Sequence, residues 1–372
     1  MKVLLLTPVH NEYVARSSKK LRGIPVTQGQ ASWVKAILSL GHEIDVFIYS
    51  SSVIIPHGIH TRIMYFLEKY FPILTGRVRR RLEKFYKYNP DVIIRSIIFE
   101  KKTNLFKPDV ICISGGLTSI LPETIKRVKH MHRAKVLLFS GVNPAYSITP
   151  VEHALVKSSV IDYVIENDSG YASSWRKKGV NSFVLPISSV DPDLHKKVIL
   201  SSREKKLYSC DVSFVGSITS DRVEKLKSFT KYNFKFWGDI KPGVSIPTEL
   251  APYYQGLANS EKMIKIFNAS KIVVNLQPKD MVSGGNMRTF EISATGSFML
   301  TDKIEEKWFK EVRPVIFSSI SDAKKKIDYY LDNDKERIDH AKKLQKYMLQ
   351  NHTYKIHLDI LFKLIKNEKQ NL

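Results

Sequence analysis

Residues 2–8 (KVLLLTP) form an unbroken apolar run that opens onto a polar loop at Pro8, the pattern of a strand buried on both faces. Over 28–40 (QGQASWVKAILSL) the apolar period changes: Trp33, Ala36, Ile37 and Leu40 recur at i, i+3, i+4 and i+7, which predicts a helix stopped by Gly41. Residues 43–49 (EIDVFIY) return to a β-rich apolar run. Strand, helix, strand in this order requires a crossover, so the sheet is predicted to be parallel. The alternation continues with strands at 109–114, 135–139, 163–166 and 182–185 and helices at 121–130 and 171–178. This is the signature of a doubly wound α/β domain.

Near 186–192 (PISSVDP) prolines and serines interrupt the pattern, and a basic, polar stretch at 195–207 leads onward. The alternation then restarts. Strands are expected at 210–216, 233–238, 271–276, 297–301 and 314–317, with helices at 219–229, 260–268 and 287–295 and from 321 to the end. The boundary therefore falls between 1–190 and 191–372, with the last helix able to pack back on the first domain. Two such domains are expected to bind a ligand in a cleft between the carboxyl edges of their sheets.

A length of 372 residues accommodates two ordinary cores, and 43% hydrophobic with 26% charged residues excludes collagen-like, disordered and coiled-coil chains. Charge narrows the partners. The 59 Lys and Arg against 36 Asp and Glu give +23, made of +14 over 1–190 (27 against 13) and +9 over 191–372 (32 against 23), so anionic partners are expected. The two cysteines, Cys112 and Cys210, lie in separate apolar runs and offer neither a disulfide framework nor a zinc cluster. The short apolar stretch Val3 to Leu6 does not make a signal peptide, and no run approaches the length of a membrane span, so a cytoplasmic protein is expected.

The densest chemistry lies in 283–302, SGGNMRTFEISATGSFMLTD. Gly284 and Gly285 let backbone approach a ligand, Asn286 and Arg288 are donors suited to phosphate oxygens, and Glu291 falls early in a helix whose N-terminus attracts anions. A carboxylate there can accept both hydroxyls of a ribose diol. Gly216-Ser217 followed by Arg222 can cradle a diphosphate, or form an ordinary βα turn with a solvated arginine. Trp237 can lie near a base, or simply fill the core. His57-x-x-His60 and His130-x-His132 lack a third ligand, so no metal site is expected, and P-loop and G-x-G-x-x-G patterns are absent.

Read in order, DVSFVGS with Arg222, FWG at 236–238, SKIVVNL at 270–276, NMRTFEISATGSFMLTD at 286–302 and HTY at 352–354 resemble the CgeB-like (spore maturation protein) group of GT-B glycosyltransferases. The resemblance covers about 208–365, and its most specific part is NxRxFExxxxG; the first half agrees in architecture alone. It implies a GT-B fold, two Rossmann-like domains facing across a cleft, and transfer of a sugar from a UDP-, GDP- or dTDP-linked donor to a glycan, lipid-linked or protein acceptor, with no cofactor or metal. In related retaining enzymes a glutamate with glycine five residues later binds the donor ribose, the place of Glu291 and Gly296. Those enzymes often carry an acid eight positions earlier, and here that position is Ser283, which leaves retention or inversion open. A GT-B reaction also needs a base from the first domain, for which His10 and then Asp168 in ENDSG are the candidates, with helix capping as the ordinary role of such an aspartate.

Residues 61–88 (TRIMYFLEKYFPILTGRVRRRLEKFYKY) combine helical apolar stripes with Arg77, Arg79, Arg80 and Arg81, a composition suited to an anionic membrane surface or to a pair of ordinary domain helices. Two other classes remain: a catalytically inactive GT-B scaffold at the membrane, and a nucleic-acid binder. The second is disfavoured because the basic residues are dispersed and no reading motif is present.

Overall fold

Val3 to Leu6 are buried without alternation, as expected of a strand covered by helices on both faces of its sheet. In the computed structural model, which describes residues 1–7, 19–21, 24–26, 28–49, 85–114, 120–141, 159–186, 189–258 and 260–370 together with 66, 70, 144 and 156, this strand is β1 (Lys2–Thr7). It is flanked by β4 (Glu43–Ile48) and β5 (Val110–Ser114), and the sheet continues through β6 (Lys135–Phe139), β7 (Tyr163–Glu166) and β8 (Ser182–Val184) in the order β4-β1-β5-β6-β7-β8. Every pairing in it is parallel. Among the described residues, this sheet is accompanied by α1 (Gln28–Ser39), α2 (Pro90–Phe106), α3 (Pro122–His132) and α4 (Ser169–Lys177).

A second parallel sheet has the order β10-β9-β11-β12-β13, built from β9 (Cys210–Val215), β10 (Phe234–Trp237), β11 (Ser270–Asn275), β12 (Met299–Thr301) and β13 (Val315–Ile316). Around it lie α5 (Ser202–Tyr208), α6 (Ser220–Lys227), α7 (Ser260–Ala269), α8 (Met287–Ala294), α9 (Ile320–Asp332) and α10 (Asp334–Asn351). Its core joins Phe214, Phe236 and Leu276 to Phe298, Leu300 and Ile327, all at most 2% exposed. Burying each such side chain contributes about 1.5–3 kcal/mol, which makes the strands the rigid base of any site on their edge.

The chain divides into one unit of Met1–Ile187 with Leu358–Leu372 and another of Ser188–His357. The final helix, α11 (Tyr354–Gln370), thus begins in the second unit and contributes its buried stripe Leu358, Leu361, Phe362 and Ile365 to the first, where Phe362 meets the His42 ring edge-on at 5.1 Å. Within the second unit, the segments that enter and leave it are tied together. Val190 N–H donates to the His352 carbonyl (2.8 Å), and Tyr354 N–H to the Val190 carbonyl (3.1 Å). Beside them runs a buried polar chain. The Trp308 carbonyl can only accept, so His352 donates to it from Nε2 (2.8 Å) and accepts at Nδ1 from His357 Nε2–H (3.2 Å). His357 Nδ1 in turn accepts from Ser189 Oγ–H at 2.6 Å.

Three elements depart from the reading of the sequence. A two-stranded antiparallel hairpin joins β2 (Lys19–Leu21) and β3 (Ile24–Val26). The stretch 195–207, read as a linker, holds α5, which starts at a capping box formed by Ser201 and Glu204. Helix α2 was not expected; it starts at the Asn89 cap with Pro90 in its first turn and ends at Lys107 in the left-handed region (φ 54°). Among the described residues no helix is long and apolar enough to cross a membrane. Of 61–88, only 66, 70 and 85–88 are among the described residues, and the membrane reading of that segment lies otherwise outside them.

Candidate active site in the second unit

The second sheet reverses its strand order between β9 and β11, and an open parallel sheet leaves a crevice at the carboxyl ends of such a pair. Those ends carry Gly216-Ser217 and Asn275-Leu276-Gln277, and α8 begins above them. Asn286 caps α8 by accepting from Thr289 N–H (3.2 Å) and exchanges reciprocal amide bonds with Asn275 (2.9 and 3.1 Å). Gln277 accepts Asn286 N–H at Oε1 (3.2 Å) and donates from Nε2 to Thr289 Oγ1 and to the Lys303 carbonyl (both 3.3 Å). Buried amides are stable only when so paired, and this network fixes the N-terminus of α8 on the sheet edge.

Arg288, in the first turn of α8, donates from Nε to the Val215 carbonyl (3.2 Å) and from Nη1 to Glu291 Oε2. The helix spacing of three residues makes the ion pair, and the backbone bond holds it over β9. Among the described residues Nη2 makes no hydrogen bond, which leaves a partly exposed donor edge for an anion. The other carboxylate oxygen, Oε1, faces His195 Nε2 at 3.9 Å. His195 is buried in a turn closed by its own N–H to the Asp191 carbonyl (2.7 Å), and its Nδ1 accepts Asp191 N–H (3.1 Å). Burial holds this imidazole below the ordinary histidine pKa, against the opposing pull of Glu291 and Asp191; Arg288 adds to the lowering. Lys225 pairs with Asp302 (2.9 Å), whose other oxygen accepts Gln277 N–H (2.9 Å). His195 was missed in the sequence because it stands in a polar stretch without period; the Asp191-Pro192 turn before it was the one local signal.

The structure brings Glu291, Arg288, Asn286 and Gly285 together with Gly216, Ser217 and Arg222, but several do other work than the sequence suggested. Asn286 is a cap and not a free donor. Gly285 N–H points at Met281 Sδ (3.0 Å), and the tight approach at Gly284 is to Lys303 Cβ and the Lys303–Ile304 peptide. Gly216 N–H is engaged by the Trp237 carbonyl (3.0 Å), so it cannot cradle a phosphate. Arg222 is buried and braces the crevice floor, donating to the carbonyls of Ser217 (2.8 Å) and Leu276 (2.5 Å). We expect Arg222→Met to keep the fold but lower its stability by about 3 kcal/mol, since two buried carbonyls lose a charged donor; chemical denaturation followed by circular dichroism measures this. Trp237 is a core residue, 1% exposed and packed with Met263, Phe267 and Met299, and not a wall for a base.

In the first unit, Asp168 is fully buried and caps α4 by accepting Tyr171 N–H (3.0 Å), which gives it the ordinary role in place of the base. Its neighbour Glu166 was overlooked: it accepts from Trp175 Nε1 (2.7 Å) and Gly141 N–H (3.1 Å), and burial pushes its carboxyl up to about 7. His10 lies outside the described residues.

With this geometry in hand, residues 220–362 match a family described as glycosyl transferase-like. The matched stretch contains α8 with Arg288 and Glu291. No curated protein matches the chain by sequence. Solved structures match it over nearly its whole length. A glycosyltransferase from Rickettsia africae is 12% identical, with 100% of this chain and 99% of that one covered and a TM-score of 0.62. Anabaena HepE in complex with UDP-glucose is 11% identical, with 98% and 100% covered and a TM-score of 0.59. A putative UDP-N-acetylglucosamine 2-epimerase from Listeria monocytogenes is 12% identical, with 100% and 97% covered and a TM-score of 0.55. At this identity the likeness carries the fold, which is GT-B: two Rossmann-like, parallel-sheet α/β units.

Proposed function

We propose that the chain is a GT-B glycosyltransferase that binds a nucleoside diphosphate sugar at the β9/β11 crevice and moves the sugar to a glycan, lipid-linked or protein acceptor. The observation that carries this is the Arg288–Glu291 pair on the first turns of α8, above a sheet switch point and inside the glycosyltransferase-like stretch. Glu291 accepts the ribose diol, and Arg288 with the helix N-terminus meets the diphosphate and stabilises it as it leaves. The motifs at 286–302 and 352–354 favour the CgeB-like group within this class. His10, three residues beyond β1, is our candidate for the base that takes the acceptor hydroxyl's proton, and a peripheral place on an anionic membrane suits a lipid-linked acceptor.

A thermal-shift screen with UDP, GDP and dTDP tests the donor site. One of them, at about a hundred times its Kd, is expected to stabilise the second unit by about 2.7 kcal/mol. Glu291→Ala and Arg288→Ala are each expected to weaken that binding tenfold or more, since each removes a charged hydrogen-bond partner worth roughly 1.5–3 kcal/mol. A melting temperature that no nucleotide moves would refute the proposal.

A further inference from the structure

We propose that His195 is a positioning residue for the nucleotide site: its Nε2–H faces Glu291 Oε1 while Arg288 holds Oε2, so the carboxylate is set between two donors before a ribose arrives. The inference rests on the reading of Glu291 as the ribose ligand, and it adds a residue from outside α8. The tautomer follows from the backbone. Asp191 N–H can only donate, and it donates to Nδ1, so the neutral ring carries its proton on Nε2, the nitrogen directed at Glu291. The ring is not free to swing: the Asp191 to His195 turn holds it, Val190 just before is bonded to His352, and Val198 N–H just after donates to Asn268 Oδ1 (3.2 Å). At 3.9 Å the ring is beyond a hydrogen bond from Oε1, so it acts on the carboxylate by dipole and by limiting its rotamer. The charged groups facing it are Glu291, Asp191 and Arg288. A glutamate held by one arginine can rotate its second oxygen away; with the fixed imidazole standing against that oxygen, it presents a single edge to two hydroxyls.

Two side chains separate positioning from mere support of the turn. Glutamine sets an N–H donor near the place of Nε2 but loses the acceptor for Asp191 N–H; asparagine keeps the acceptor near Nδ1 and loses the donor. We expect His195→Asn to weaken UDP binding about tenfold while His195→Gln stays within about threefold of wild type, and both to leave 2′,3′-dideoxy-UDP binding unchanged because that ligand has no diol for Glu291. Rescue by asparagine instead of glutamine, or equal losses for both nucleotides, overturns the proposal. A second arm needs no nucleotide. In nitrogen-15 histidine spectra of the full chain, His195 is expected as the Nε2–H tautomer, and Glu291→Gln is expected to lower its pKa further by removing the carboxylate that favours the charged ring. An Nδ1–H tautomer, or a titration indifferent to Glu291→Gln, sinks the idea. Should UDP, GDP and dTDP all fail to bind wild type, the functional reading falls while this arm still decides whether His195 and Glu291 are coupled.

Discussion

Gly238→Ala is expected to unfold the second unit. A Cβ at this position would stand 1.7 Å from the Gly216 carbonyl oxygen and 2.8 Å from its carbon, and both are backbone. Neither strand end can yield. Gly216 N–H is held by the Trp237 carbonyl, Gly238 N–H by the Gly256 carbonyl (3.0 Å), and the Gly238 carbonyl accepts Tyr254 Oη–H (2.9 Å). Relief requires parting β9 from β10 at their carboxyl ends, with loss of these bonds and of the packing around Phe236, so a cost above about 4 kcal/mol is expected. Gly216→Ala is the internal control: its Cβ meets the Phe214 ring at 3.0 Å, a side chain that can turn, and about 1–2 kcal/mol is expected. Denaturant unfolding followed by circular dichroism ranks the two. Near-equal losses would show that the clash is absorbed by backbone movement.

Acid is expected to weaken the second unit first. Burial, with the neighbouring His352, drives His357 down to about 3, and burial also lowers His352, His195 and His340. The sign follows from proton binding. Below the unfolded histidine value of about 6.5 the unfolded chain takes up protons that the folded chain refuses, so stability is full above that pH and falls as the pH drops toward 3. Each such histidine contributes a slope of about 1.4 kcal/mol per pH unit while it lasts, and His357 with its long interval contributes most. Protonation also breaks the chain from Ser189 to the Trp308 carbonyl, because His357 Nδ1 can no longer accept. Glu166 in the first unit has the opposite sign: its raised pKa favours folding below about 4.5 and loses that contribution as the pH rises through 7. Hydrogen exchange at pH 5 and 7.5 reads the two units separately, and His357→Gln should flatten the acid limb of the second. Uniform exchange across both units at pH 5 would contradict this account.

The sheets were legible because parallel strands covered on both faces carry unbroken apolar runs, as at residues 3–6, 110–113 and 272–274. Helix α2 was not legible because its polarity is inverted: Arg95, Ser96 and Thr103 are buried beside Val92 and Phe99, while Ile93, Ile94, Ile97 and Ile98 are exposed. Arg95 pairs with Asp91 and Ser96 donates to the Val92 carbonyl, each one helical turn back, while Ser96 Oγ also accepts Leu121 N–H (2.9 Å), a partner that no local pattern reveals. The candidate site was half legible. Residue type and spacing marked Arg288 and Glu291, since a pair three apart on a helix meets by geometry alone. Arg222, Trp237 and Gly216 suit a ligand by residue type, but Arg222 donates to the Ser217 and Leu276 carbonyls, Gly216 N–H donates to the Trp237 carbonyl, and Trp237 fills the core, the alternative that its residue type left open. His195 reaches Glu291 only through the fold.

The two passages of the chain between its units bear on how such a protein can be divided or recombined. A break near 187 separates β8 from Ser188, yet it leaves Leu358, Leu361, Phe362 and Ile365 on the wrong fragment. The amino-terminal piece would lack part of its own core, and the carboxyl-terminal piece would end in an apolar helix with nothing to bury it. The second unit therefore cannot be exchanged between relatives as one contiguous cassette; the exchange must stop before α11 reaches Leu358, or carry the first unit's matching surface with it.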